Sequence, residues 1–166
     1  MCEAFASATQ HNANLQMDSN AANTMEVELV APYRQNEIKS DFFDYYSIKK
    51  NFKLRKIWAP DFYWPGKLDR IAFLLKSVIA EFVLVFYSLL QKPDIFYSRD
   101  ELGVFLLTFF VKPGRIVFEA HRFSPRRALL YNRLKNKSIK LVVISEALKK
   151  DFLKFGFRQE NILVAH

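Results

Sequence analysis

An α/β fold built on a parallel sheet with helices on both faces is predicted for this 166-residue chain by three observations. Short runs that are apolar throughout alternate with stretches of helical periodicity, the pattern left by parallel strands buried on both sides. Proline and glycine separate several of these runs from the helices that flank them. Polar or charged residues follow the apolar runs directly, at the carboxyl ends of strands where an open parallel sheet holds its ligands.

Taken in order, Met1 to Thr9 reads as a helix. His11 to Thr24 is rich in Asn and Ala, contains little that builds a core, and reads as a flexible polar insert. Residues 1–24 are therefore set apart from a single Rossmann-like domain spanning 25–166. Its apolar runs are VELVA (Val27 to Ala31), a weaker FKLRKIW (Phe52 to Trp58), DIFYS (Asp94 to Ser98), RIVFE (Arg115 to Glu119), KLVVIS (Lys140 to Ser145) and NILVA (Asn161 to Ala165). Helices are expected at about Glu37 to Lys50, Lys67 to Gln91, Asp100 to Val111, Pro125 to Lys135 and Glu146 to Phe155.

Local chemistry supports several of these limits. Pro93 ends the long helix because proline disfavours helical geometry in the residue before it, and Pro113-Gly114 ends the next one. Ser145 is placed to cap the last helix, Gly156 to terminate it, and Lys149, Lys150 and Lys154 lie toward the end where cations are favoured.

The long helix contains IAFLLKSVIAEFVLVFYSLL, Ile71 to Leu90, which has membrane-like composition. Its thirteen large apolar residues favour insertion by roughly 4 to 8 kcal/mol, whereas central Lys76 and Glu81 oppose it by about 5 to 7. On a helical wheel Arg70, Ser77, Glu81, Ser88 and Lys92 share a stripe about 60° wide, so the expectation is a helix with one solvated face, packed on the sheet.

The residues after the apolar runs are Pro32-Tyr33-Arg34, Ser98-Arg99-Asp100, Glu119-Ala120-His121-Arg122 and Ser145-Glu146. Each has a structural reading beside the functional one. His121 can be an ordinary loop histidine, Glu119 a salt-bridge partner of Arg99 or Arg122, and Asp100 and Ser145 helix caps.

Charge is uneven. The formal net charge is +8, and from Arg122 to Lys140 there are seven basic residues and no acidic one. If Pro125 opens a helix, Arg126, Arg133 and Lys137 share a face, with Arg122 before it and Arg127 beside it. This is either a solvated basic face or a patch for an anionic partner such as lipid headgroups. Trp58, Phe62, Tyr63 and Trp64 form an aromatic loop that reads as packing or as an interfacial anchor.

One cysteine, Cys2, forms no internal bridge, and His11, His121 and His166 lack metal-ligand spacing. A reduced, metal-free cytoplasmic protein, peripheral at most to the inner face of a membrane, is expected. No signal peptide is expected from the start MCEAFASATQ, no P-loop, G-x-G-x-x-G, C-x-x-C pair or nucleophile elbow is found, and Asn136-Lys137-Ser138 carries little weight as a sequon in such a chain.

The stretches KPDIFYSRDELGVFLL, RIVFEAHRFSP and KLVVISEALKKDFLKFGFRQENILVAH resemble, in order and spacing, the N-terminal lobe of the family 4-type glycosyltransferases, retaining enzymes of the two-lobed GT-B fold. EVELVAPYR and MCEAFA resemble that family's second strand and first helix. The resemblance implies transfer of a sugar from a nucleotide-sugar donor to an acceptor, without a cofactor or metal, as part of glycan biosynthesis. It assigns His121 to the donor sugar and the transition state, and Arg99, Asp100, Glu119, Ser145 and, less directly, Glu146 to the acceptor side of the cleft. It also implies a first strand before MCEAFA and a second lobe after His166, so the chain by itself is expected to be an inactive, incomplete enzyme. The competing reading is a non-catalytic basic α/β module that binds an anionic membrane or nucleic acid. Nucleic acid is not expected under the leading reading, and donor, acceptor and oligomeric state are not written in these residues.

Overall fold

The computed structural model describes residues 26–33, 40–60, 66 and 69–165. The chain divides into two compact units, Met1–Ala59 and Pro60–His166. All the strands described run parallel to their neighbours and helices flank the sheets, as a Rossmann-like α/β fold requires.

In the first unit, strand β1 (Glu28–Tyr33) pairs in parallel with β2 (Lys53–Trp58), Glu28 opposite Lys53 and Tyr33 opposite Trp58. The run expected to be the weaker strand thus forms a full partner. Arg55 Nε donates to Glu28 at 3.3 Å, and Lys53 pairs with Glu26. Between the strands lies one helical turn, α1 (Phe42–Tyr45), whose first turn is capped by Asp41 accepting from Phe43 N at 3.0 Å.

A longer helix, from Glu37 to Lys50, was the expectation. Residues 34–39 lie outside the described part, Asp41 begins the helix, and Ser47, with φ of 52°, closes it. The rings of Phe42, Phe43 and Phe52 cluster at 5.0 to 6.4 Å, so aromatic contact rather than a continued helix occupies this connection.

The second unit holds the core. Helix α2 (Asp69–Gln91) leads to strand β3 (Phe96–Ser98), helix α3 (Glu101–Leu107) and strand β4 (Ile116–Ala120). Helix α4 (Ala128–Asn136), strand β5 (Lys140–Val143), helix α5 (Glu146–Phe155) and strand β6 (Ile162–Val164) follow. The strand order is β3-β4-β5-β6, each strand beside its neighbour in sequence. Right-handed crossovers in a consecutive order put α3, α4 and α5 on one face.

Alternation along the strands agrees. Phe96, Ile116, Phe118, Ala120, Leu141, Val143 and Ile162 are buried with Val104, Leu107, Tyr131, Leu134, Leu148 and Phe152 in one cluster. The intervening residues Tyr97, Val117, Glu119, Val142 and Leu163 are less buried and lie on the sheet's other face.

Helix limits follow the caps. Asp100 accepts from Leu102 N at 2.8 Å and Gly103 N at 3.3 Å, so α3 begins at Glu101, and it ends at Leu107 with Thr108 Oγ1 donating to Phe105 O. It is therefore shorter than the stretch to Val111 expected from periodicity. Ser145 Oγ accepts from Leu148 N at 3.2 Å and Gly156 sits at φ of 100°, bounding α5 as its cap chemistry foretold. Pro125 opens not an α-helix but a 3-10 turn, Pro125–Arg127, and the α-helix starts at Ala128.

Helix α2 departs from expectation in its orientation. Its principal contact is with α3 rather than with the sheet. Ser77, Glu81 and Ser88 of the polar stripe are half-buried, with only Arg70 and Lys92 at its ends exposed. The opposite face, Leu75, Ile79, Phe82, Phe86 and Leu90, is between 41% and 65% exposed. Gly103 faces this stripe: a Cβ there would stand 2.6 Å from Glu81 Oε2, so the bare backbone leaves the Glu81 carboxylate its present position against α3.

Candidate functional site

The strand ends of the second unit bring together three of the residues singled out by sequence, Arg99, Glu119 and His121, and one that was not, Tyr97. Register places Tyr97 opposite Val117, so its side chain shares the less buried sheet face with Glu119, one diagonal step along β4. Tyr97 Oη donates to Glu119 Oε2 at 2.6 Å. The other carboxylate oxygen, Oε1, meets the Nε2 of His121 in a short hydrogen bond, and Arg99 Nε lies 3.8 Å from it. Glu119 is thus gripped from three sides.

These contacts settle its charge. Burial works against ionisation, but the hydrogen bonds from Tyr97 and His121, with the positive charges of His121 and Arg99, outweigh it and hold the Glu119 carboxyl below the ordinary carboxylate range. Burial, followed by the hydrogen bond to Glu119 and its negative charge, drives the Tyr97 phenol well above its usual value. Tyr97 therefore stays protonated and donates. With Nε2 committed to Glu119, the His121 ring has its Nδ1 without a hydrogen-bond partner among the described residues.

Arg99 contributes a second feature. Its Nη1 is buried and has no hydrogen-bond partner among the described residues. A guanidinium nitrogen in that state costs free energy unless something anionic or a water satisfies it.

Next to this cluster, Ser98 Oγ accepts from Asp100 N at 3.1 Å and Asp100 caps α3. Glu81 of α2 reaches the same turn. Desolvation, with the negative charge of Asp100 adding to it, pushes Glu81 up to about 7. Sequence reasoning placed Glu81 on a solvated face and missed it here, because nothing local reveals that Gly103 would receive it.

Ser145 and Glu146 lie at the end of the neighbouring strand β5. Ser145 caps α5, and Glu146 is exposed and pairs with Lys149 at 3.6 Å. Among the described residues neither is joined to the Glu119 cluster by a hydrogen bond or ion pair.

The basic segment divides into two groups. Arg122, Arg126 and Lys137 are exposed. Arg127 pairs with Glu101, a residue only 6% exposed whose Oε1 also accepts from Tyr131 Oη at 2.8 Å. Arg133 donates from Nε to Thr108 Oγ1 at 2.6 Å and its guanidinium lies 3.5 Å from the centroid of the Phe109 ring. Lys135 lies 5.0 Å from the centroid of Phe155, and Lys140 Nζ donates to Asn161 Oδ1 at 2.9 Å. A single basic face bearing Arg126, Arg133 and Lys137 is therefore not formed: the 3-10 turn shifts Arg126 and Arg127 off the helical phase, and Arg133 is held in aromatic packing.

Arg34, Phe62, Tyr63, Trp64 and the polar insert lie outside the described residues; Trp58 is exposed. Among the described residues no group of three or more His, Cys, Asp or Glu is arranged to hold a metal ion. No protein-family model, curated protein or solved structure matches this chain.

Proposed function

We propose that this chain is the acceptor-side lobe of a retaining glycosyltransferase, using a nucleotide-sugar donor. The observation that carries the proposal is the His121-Glu119 pair at the carboxyl end of β4, braced by Tyr97 and Arg99. Parallel sheets present ligand-binding groups at that end. The ordered stretches that resemble the family give the pair its suggested role.

The chemistry follows from the contacts. Glu119 orients the imidazole through Nε2, so Nδ1 is the atom offered to a sugar hydroxyl or to charge developing at the transition state. Tyr97 and Arg99 keep the carboxylate ionised and fixed, which means the imidazole needs no reorientation when the substrate arrives. Arg99 and exposed Arg122 add positive potential at this strand end, and cationic groups around such a cleft favour a departing diphosphate.

The test is His121→Ala in the complete gene product, assayed against a panel of nucleotide-sugar donors. Transfer is expected to fall at least about a hundredfold, as loss of one preorganised donor does, with the fold retained because the ring is exposed and only a modest drop in thermal midpoint from the lost contact with Glu119. Turnover within a few-fold of the parent would overturn the assignment. Charge reversal at Arg126 and Lys137 separates the alternative, since a non-catalytic basic module loses its anionic partner while a transferase with a soluble acceptor keeps its turnover.

A further inference from the structure

Helix α2 is amphipathic in the sense opposite to that of a helix on a water-soluble core. Its half-buried stripe contains Ser77, Glu81 and Ser88, whereas Leu75, Ile79, Phe82, Phe86 and Leu90 form an exposed apolar face about 80° wide on the far side. Ile71, Phe73 and Leu74 are also exposed near its start, so eight large apolar side chains of this helix stand open to water, an exposure that marks an interaction surface. A polar side turned inward and an apolar side turned outward is the arrangement favoured where the surroundings are apolar.

The charges around the patch indicate which apolar surroundings. From Arg70 to Lys92 the only carboxylate is Glu81, and it is turned toward α3. The exposed charged residues of this length are Arg70 and Lys92, at either end, while Lys76 Nζ lies 5.9 Å from the centroid of Phe73 at the border of the apolar face. Beyond the end of α3, exposed Phe109 and Phe110 are followed by exposed Lys112. Asp69 and exposed Asp94 stand beside Arg70 and Lys92 at the helix ends, but the apolar stripe itself carries no charge, Lys76 borders it, and the chain as a whole is at +8, a combination suited to an anionic lipid surface. A second copy of a chain with net charge +8 would meet it with like charge.

We infer that α2 docks this protein on an anionic lipid bilayer, lying in the interface plane with Ile79, Phe82, Phe86 and Leu90 buried among the acyl chains. The helix is long and apolar enough to cross a membrane by length and composition. Its contact with α3 through the Glu81 stripe favours the in-plane position, because spanning would carry that stripe and its neighbour into the hydrocarbon. The inference does not depend on sugar transfer.

Sedimentation of the full chain with vesicles tests it. Vesicles of phosphatidylcholine with about a third phosphatidylglycerol should carry the chain down, and pure phosphatidylcholine should bind about tenfold less or weaker still. Raising the salt should weaken the anionic binding. Phe82→Glu combined with Phe86→Glu should reduce it about tenfold or more; both side chains are exposed, so the variant's unfolding transition should match the parent's. Phe86→Ser alone, at the most exposed position of the face, repeats the comparison should the double variant not fold.

Absence of sedimentation, or equal sedimentation of parent and variants, would overturn the docking. Equal binding to neutral vesicles would overturn the anionic surface. Self-association abolished by the same substitutions, without vesicle binding, would assign the face to a second copy instead.

Discussion

Glu81 and Glu119 belong to the same unit, and their surroundings drive them in opposite directions. Glu81 rises from the ordinary 4.5 to about 7 because desolvation and Asp100 disfavour its charge. Between those limits the folded chain holds a proton that the unfolded chain has released, so stability falls as pH rises through that window. Glu81→Gln removes the loss. After allowance for its partial exposure, the substitution should stabilise the unit by about 1 to 2 kcal/mol at pH 8, with little effect at pH 5, read as thermal midpoints at the two values.

Glu119 shows the reverse. Its carboxyl is held low, so its contribution is present above the ordinary carboxylate range and lost as pH falls through its folded value. Glu119→Gln should therefore flatten the acid limb of the midpoint-against-pH curve while lowering the midpoint at neutrality. Legibility differed for its partners. Glu119 and His121 are two residues apart around the end of one apolar run, which sequence shows directly. Tyr97 joins them only through the pairing of β3 with β4, and a three-residue strand carries too little pattern to fix that pairing in advance.

Capping explains why the elements were mostly foreseeable and where they were not. Asp100, Ser145 and Gly156 announce their helix ends in the sequence and perform those roles in the fold. Periodicity alone extended α3 too far, since Phe109 and Phe110 keep an apolar pattern while standing exposed beyond the helix. It also found the amphipathic stripe of α2 but not the direction in which it points, because the contact of Glu81 with the turn at Gly103 is made on another helix. The basic run misled for a related reason: counting charges does not distinguish an exposed Arg126 from an Arg133 locked over Phe109. Arg133→Ala should cost about 1 to 2 kcal/mol through the lost stacking and hydrogen bond, whereas Arg126→Ala should leave chemical denaturation within about 0.5 kcal/mol of the parent.

The alternation of strands and helices made the α/β class legible over the whole chain. Its separation into a two-stranded and a four-stranded sheet was not, because runs of similar composition say nothing about which edges join. Among the described residues the buried apolar core runs from Ala72 to Ile162, and none of those in the first unit is buried. Hydrogen exchange should follow that division. Amides of β4 and β5 should be protected up to the global unfolding free energy, while those of β1 and β2 should exchange at least about a hundredfold faster by local opening. Equal protection of the two sheets would contradict it.

The four-stranded sheet lists its strands in the order in which a ribosome would deliver them. Phe96 meets Ile116, Val117 meets Lys140, and Leu141 meets Ile162, so each join closes a stretch of only about twenty residues and adds little loop-closure entropy. Growth can proceed strand by strand as the polypeptide emerges, every new edge serving as the template for the next, with no distant segment to await. Such a sheet is assembled like masonry laid in courses: removing the final course at β6 would expose β5 and leave the earlier joins in place.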